Sequence, residues 1–304
     1  MPPSGAIDAP PADIPLRDPI IATSPTIPAG VISVAPTVPQ PQSGGPRWSS
    51  EESWTWQNLP PSLLYPAYWA GPKESRIAAV FANEMNDGWF LQPTLGGYVG
   101  LWRYGSTDPL WPEGWQIDME GAVFPRIALE HDLDLVSSDY RFGFPLTYRQ
   151  GLFEAKLAYY HLSSHLGDEY LFRINPQAMT NDYSRETIVL GLAIRPWEAL
   201  RLYAETGWAV GARGPAEAWE FQFGADFSPA TPGFRGAPFL AVNARLRQEV
   251  DFGGSLTVQT GWLWRGQTGK VFRTGLEYFN GKSEQMEFVF QHEQHLGLGF
   301  WYDY

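Results

Sequence analysis

Asp139-Tyr140-Arg141-Phe142-Gly143-Phe144-Pro145-Leu146-Thr147-Tyr148 decides how the rest of the chain is read. Tyr140, Phe142, Phe144, Leu146 and Tyr148 alternate with positions that include Asp139, Arg141 and Thr147. In an extended strand successive side chains point to opposite faces, so this stretch has one apolar face and one polar, charged face. A helix would scatter the same residues around its axis.

The same period returns on both sides. Trp115, Ile117 and Met119 alternate with Gln116, Asp118 and Glu120. Trp219, Phe221, Phe223 and Phe227 alternate with Glu220, Gln222 and Asp226. Leu256, Val258, Trp262 and Trp264 share a face, with Ser255, Thr257, Gln259 and Arg265 mostly opposite. Such segments are read near 74–84, 89–104, 115–130, 135–148, 152–165, 184–195, 199–210, 217–228, 237–248, 254–266, 270–280 and 286–304, about twelve in all. The fold class is therefore all-β. An even strand number suits a closed antiparallel up-and-down barrel with both ends of the chain on one side. The turns read as short, Arg149-Gln150-Gly151 and Asn280-Gly281-Lys282 among them, apart from a long connection near 166–183.

Alternating strands serve a soluble barrel with its apolar face inside or a transmembrane barrel with that face outside. The polar face discriminates. It carries Glu154, Lys156, Arg185, Arg201, Glu205, Arg245, Arg247, Arg273 and Glu277 besides the residues above, and mixed charges of this kind suit a lumen filled by ion pairs. The other face is aromatic, above all towards strand ends, where membrane interfaces favour Trp and Tyr. The chain holds 14 Trp and 14 Tyr among 304 residues, yet only 18% are charged. No run approaches the ~18–20 apolar residues of a membrane helix, and the mean hydropathy of −0.26 excludes a bundle of such helices. A net charge of −12 argues against nucleic acid and anionic surfaces as partners. The absence of cysteine removes disulfide and thiolate chemistry.

The last segment places Leu296, Leu298, Phe300, Tyr302 and Tyr304 on one face. Its Gly299-x-x-Tyr302-x-Tyr304 ending resembles the C-terminal signal read by the outer-membrane barrel assembly machinery. That resemblance implies a bacterial outer-membrane location, with its lipids and the assembly machinery as partners. Export needs a signal peptide, and none is evident: no basic stretch and clean apolar core precede the first prolines. Residues 1–46 are rich in Pro, Ala, Ser and Thr and read as a disordered leader. Residues 47–73 mix prolines with Trp48, Trp54, Trp56, Leu63, Leu64, Tyr65, Tyr68 and Trp69, and are expected to pack at the barrel mouth or enter the lumen as a plug. The barrel itself is expected over 74–304.

One stretch carries chemistry: Tyr159-Tyr160-His161-Leu162-Ser163-Ser164-His165-Leu166-Gly167-Asp168-Glu169-Tyr170. Phe153, Ala155, Leu157 and Tyr159 define the lipid-facing side of this strand, and parity carries His161, Ser163 and His165 to the same side. Polar groups facing lipid are costly and ask for a reason. A His two residues from a Ser is spaced to act as its general base. Pairing Leu152 with Arg195 sets His161 opposite Glu186 and Ser163 opposite Ser184 on the next strand. The expected set is then Ser163 as nucleophile, His161 as base and Glu186 as orienter.

This His161-x-Ser163 element resembles that of outer-membrane phospholipase A and is similar to that of the lipid A deacylase barrels. The resemblance covers about 35 residues and implies cleavage of lipid acyl esters, with an Asn or Glu on or near the next strand as third member. Glu186 fills that place by register and Asn175 by linear spacing; Glu186 is favoured because Asn175 precedes Pro176 in the loop. The phospholipase pattern continues Ser-Asn-Gly, where this chain has Ser163-Ser164-His165. Over most of its length the chain resembles the family called domain of unknown function 1207, through Leu64-Tyr65-Pro66 to Arg76, the His161–Tyr170 run and Ser184-Arg185-Glu186. That family implies no particular activity.

Other readings stand beside the hydrolase. The barrel is alternatively non-catalytic, a narrow channel or an anchor for the leader; a soluble β protein that binds lipid or glycan is the third. Asp168, Glu169 and His165 would be the ligands of a loop metal such as Ca²⁺, although two carboxylates fall short of the 6–8 oxygens this ion takes. No other cofactor is expected: no glycine-rich phosphate loop is present, and His292 and His295 fall on opposite faces.

Overall fold

The computed structural model describes residues 53–85, 87–174, 180–229 and 233–304. The leader 1–46, positions 47–52 and Asn175 lie outside the described residues. Thirteen strands form one sheet: β1 Thr55–Asn58, β2 Ile77–Glu84, β3 Gly88–Gly105, β4 Gly114–Ala128, β5 Asp134–Gln150, β6 Phe153–Leu166, β7 Ser184–Trp197, β8 Leu200–Arg213, β9 Trp219–Phe227, β10 Ala237–Arg247, β11 Gly254–Arg265, β12 Val271–Lys282 and β13 His292–Asp303. A short helix α1, Asp168–Ile174, lies between β6 and β7.

Strands β2 to β13 close an antiparallel barrel. Each pairs with its successor, and β13 returns to β2 with Leu298 opposite Phe81 and Phe300 opposite Ala79. The segment ending in Tyr304 is thus the closing seam. The mouth where β13 ends and β2 begins is called proximal here, and the opposite mouth distal.

The wall faces the way the alternation requires. Phe142, Phe144, Leu157, Leu190, Leu298 and Phe300 point outward and exposed, whereas Asp118, Glu120, Asp139, Glu154 and Arg273 are buried inside. The outer surface is aliphatic at Leu157 and Leu190. It turns aromatic at Trp115 and Tyr148, whose ring centroids are 4.5 Å apart, and at Trp208 and Trp219, 6.4 Å apart. An exposed apolar belt running round a barrel suits lipid and not water. Inside, Arg103, Arg185, Arg201, Arg247 and Arg273 are among the largest fully buried side chains. Buried charge persists only when paired. Glu154 binds Arg195 and Arg201 at 2.5 and 2.8 Å, Lys156 binds Glu205 at 2.6 Å, and Glu220 binds Arg245 at 2.6 Å.

Two segments fill the lumen. The first begins in the wall. β1 pairs with the proximal half of β3, Trp56 opposite Tyr104, on the edge that β2 covers further up. Between them residues 59–76 leave the wall, cross the lumen and return. Tyr304 packs over the place they vacate: a Cβ on Gly97 would stand 2.5 Å from its ring. Of the segment 47–73, expected to pack at the mouth or enter the lumen, residues 59–73 enter the lumen, whereas Thr55–Asn58 joins the wall as β1. Tyr68 stacks on Tyr203 at 3.8 Å and donates to Glu205, and Arg201 and Arg273 donate to the carbonyls of Pro66 and Trp69.

The second insert comes from the distal mouth, and it corrects two expectations. Asn280-Gly281-Lys282 is not a turn; it continues β12. Gly281, at φ +145°, is there for close approach, since a Cβ would stand 2.3 Å from the Gly254 carbonyl oxygen on β11. Residues 286–291 are not strand either. The connection 283–291 turns inward through a short 3-10 turn, Met286–Phe288, and buries Met286 against Ala158, Tyr160, Leu162, Tyr183 and Val189. The apolar run Met286, Phe288, Phe290 imitates a strand by its period of two, but Met286 alone of the three is fully buried inside and Phe290 is exposed.

The two inserts meet at Asp139 of β5. Its carboxylate accepts Lys73 Nζ at 2.6 Å from the first insert and the Met286 backbone N–H at 3.3 Å from the second, and it also accepts the Ser164 hydroxyl. Burial lowers the Lys73 ammonium from its ordinary range, against the pull of Asp139, and raises the neighbouring Glu74 carboxyl.

Candidate functional site

The outward face of β6 and β7 carries the polar cluster. Arg195 N–H donates to the Leu152 carbonyl at 2.9 Å, and from there the ladder sets His161 opposite Glu186 and Ser163 opposite Ser184. His161 Nδ1 stands 2.6 Å from Glu186 Oε1. The Tyr159 hydroxyl donates to the other carboxylate oxygen. Both sides of the pair are partly exposed, 27% for His161 and 37% for Glu186. The register of β7 on β8 shifts between Glu186 and Thr187, and Gly211 lies opposite Glu186. A Cβ on Gly211 would come 3.3 Å from Glu186 Cγ, so the bulge and the glycine together leave the carboxylate room.

A carboxylate on Nδ1 fixes the ring and leaves Nε2 free on its other side. Ser163 is not joined to this pair. Ser163 lies on the same face, about 6.6 Å along the strand from His161 by the strand rise, and among the described residues its hydroxyl makes no hydrogen bond. Ser163 is paired with Tyr140 and Ser184 across the neighbouring strands. His165 sits at the distal end of β6 with its ring 5.8 Å from that of Tyr140. Asp168 and Glu169 occupy the exposed first turn of α1. Among the described residues no group of three or more His, Asp or Glu side chains is placed to hold a metal. Sequence reasoning counted Tyr159 as one more apolar lipid-facing residue; its parity with His161 was the available sign that its hydroxyl reaches the same carboxylate.

A second concentration of unusual side chains lies at the proximal mouth. A cavity of about 60 Å³ is lined there by Arg149, Arg195, Arg201 and Arg265, with Trp69, Trp111, Asp226 and Asp303. Another, of about 50 Å³, lies between the inserts and the β2–β13 seam, lined by Glu74, Arg76, Arg126 and Glu293 among others. Arg126 holds Glu293 there through two bonds of 2.6 and 2.8 Å.

Comparison with solved structures returns porins. A KdgM porin in complex with disordered oligogalacturonate superposes with a TM-score of 0.44 at 10% identity, covering 75% of this chain and 99% of that one. A mutant of the Rh. blastica porin gives a TM-score of 0.33 at 8% identity, covering 76% and 98%. Comparison with curated proteins gives no match. Residues 50–304, the whole of the described barrel, match the family described as Protein of unknown function (DUF1207), and the chain belongs to that family.

Proposed function

We propose that this protein is a sealed barrel of the bacterial outer membrane that anchors the chain preceding β1 and does not pass solutes. The observation that carries this reading is the meeting of the two inserts at Asp139, with Lys73 bound from one mouth and Met286 from the other. A pore needs a continuous wet path, whereas here ion pairs and tyrosines occupy the axis of the barrel. The outward apolar belt supports the membrane, and the aromatic closing strand supports delivery by the barrel assembly machinery. Planar-bilayer recording tests the reading: the native barrel is expected to be silent, and a variant lacking both 59–76 and 283–291 to conduct if its wall still closes. Conductance steps from the native protein would end it, and so would recovery of the protein in the soluble fraction.

A second reading is favoured by the His161–Glu186 pair at 2.6 Å on the lipid-facing wall. A Ser163 side chain turned towards His161 Nε2 would give up its proton to it and attack a lipid acyl carbonyl. The ester C–O bond would break, His161 would return the proton to the leaving alcohol, and water would release the acyl group by the same route. Tyr159 and Glu186 would hold the ring. Fatty-acid release from phospholipid and from lipid A, by the native barrel and by Ser163→Ala, tests it. No release, or equal release by the variant, refutes it. The assay with and without Ca²⁺ tests whether Asp168, Glu169 and His165 serve a metal; identical rates remove that role.

A further inference from the structure

The proximal cavity is unusual in what it leaves unpaired. Glu154 binds both Arg195 and Arg201, and Asp303 is held by Arg76 and Arg273. Asp226 reaches Arg201 only at 3.7 Å and accepts the Trp69 N–H. Among the described residues no carboxylate forms an ion pair with Arg149 or Arg265, although Glu198 lines the same cavity beside Asp226 and Asp303. Arg149 is 4% exposed, stands opposite Glu154 on β6 without an ion pair to it, and has the Trp111 ring 4.7 Å away. Arg201 Nη2 and Arg265 Nε are buried without a hydrogen-bond partner. A chain of net charge −12 has thus gathered four arginines from four strands around one small cavity and left two of them without an acid. Buried guanidinium groups without partners are expensive, and a polar cavity open at the mouth is where a ligand would supply the missing charge.

We infer that this cavity binds a phosphate-type oxyanion. Its volume of about 60 Å³ suits one small group, roughly the space of four water molecules. The donors converge from separate strands, which a tetrahedral anion with oxygens on every side satisfies better than a planar carboxylate. Guanidinium forks match phosphate oxygens in pairs. Trp111 lies under both Arg149 and Arg195, at 4.7 and 5.3 Å, and orients the two forks. The anion is either free phosphate or the phosphate head of a small soluble ester entering from the proximal side.

Calorimetric titration of the detergent-solubilised full-length barrel with inorganic phosphate and, separately, with glycerol phosphate tests the site. Ionic strength is held constant with chloride. Saturable binding of either ligand is expected, and preference between the two identifies the source. Arg149→Gln and Arg265→Gln should each weaken binding roughly tenfold or more, the worth of a charge-assisted hydrogen bond. Arg149→Lys should bind between native and Arg149→Gln. The double Gln variant breaks no ion pair, so its melting temperature without ligand should equal or exceed the native value, which separates lost binding from lost fold. Absence of saturable heat with both ligands, an unchanged affinity in the double variant, or equal heats with chloride would overturn the assignment.

Discussion

Asp139→Ala is the sharpest test of how the lumen is held. The Asp139 side chain is fully buried and Lys73 is only 3% exposed, so solvent screens neither partner. The substitution removes the ion pair at 2.6 Å and the acceptor of the Met286 N–H and the Ser164 hydroxyl, and it strands an ammonium in the lumen. Breaking a buried pair in this way costs about 3–5 kcal/mol. That shifts the equilibrium for release of the first insert by roughly two to four orders of magnitude. The wall does not depend on Asp139, because its ladder of backbone bonds is untouched. The expected phenotype is therefore local: a barrel that still resists heat and detergent but whose first insert becomes open to chymotrypsin at Tyr65, Tyr68 and Trp69, all buried in the native barrel, and whose bilayer record shows flickering conductance. The Lys73→Met, Asp139→Leu double variant removes both charges and should recover most of the protection, since an uncharged pair leaves nothing stranded. Chymotryptic cleavage rates of the insert for Asp139→Leu, Lys73→Met and the double variant form a cycle whose coupling should reach about 2 kcal/mol or more. If Asp139→Ala keeps the first insert as protected as in the native barrel, or if the Lys73 and Asp139 substitutions simply add, the inserts are not held together by this contact and the reasoning fails.

Four further outcomes follow from other parts of the molecule. Leu190→Arg, at an exposed mid-wall position, should destabilise the barrel in bilayers by about 2–4 kcal/mol if that face meets lipid; urea titration in vesicles measures it, and a neutral effect would place the face in water. Glu154→Gln should cost about 3–5 kcal/mol because Arg195 and Arg201 both lose their acid, read from the same titrations. Gly143→Ala puts a methyl group 2.6 Å from the Tyr159 carbonyl oxygen and 2.9 Å from Glu120; overpacking of about 1–3 kcal/mol is expected, again by urea titration. Replacing Phe300 and Tyr302 by Ser should leave translation intact but lower the fraction that shifts from unfolded to folded mobility on unheated gels, if the closing strand is the assembly signal.

Much of the fold was legible because one periodicity answers two questions. Alternation at Asp139–Tyr148 identifies a strand, and the chemistry of its two faces tells which one meets the lumen. The pairing of β6 with β7 was also legible, since Leu152 opposite Arg195 brings His161 to Glu186 as observed. Side-chain rotation was not. Parity places Ser163 beside His161 but cannot say that its hydroxyl stands unbonded. The inserts were half legible. Prolines and aromatics at 59–76 mark a segment unlike a strand, yet Met286, Phe288 and Phe290 keep a strand's period inside a loop. Asn280-Gly281 carries the strongest short hairpin signal, and the glycine is spent instead on the approach of β11. Arg265 could be seen to face inward, but Arg149 reads as part of a turn and instead belongs to β5, and only the finished pairing shows which arginines lack an acid.

The interruption of the first wall strand also constrains how the molecule can be put together. Residues 59–76 are fastened at both ends, β1 to β3 and β2 to β3 and β13. They therefore form a loop with two fixed roots, not a cork on a string, and can be displaced only by bending within the lumen. The partner that completes β2 is β13, the last of the described strands. Until β13 arrives, the edge of β2 is open and the insert has a sideways route into the interior. Once the seam is made, the ring surrounds a crossing segment that is part of its own wall. Sideways entry is therefore open only before the seam is made, and any later displacement of the insert proceeds within the closed ring.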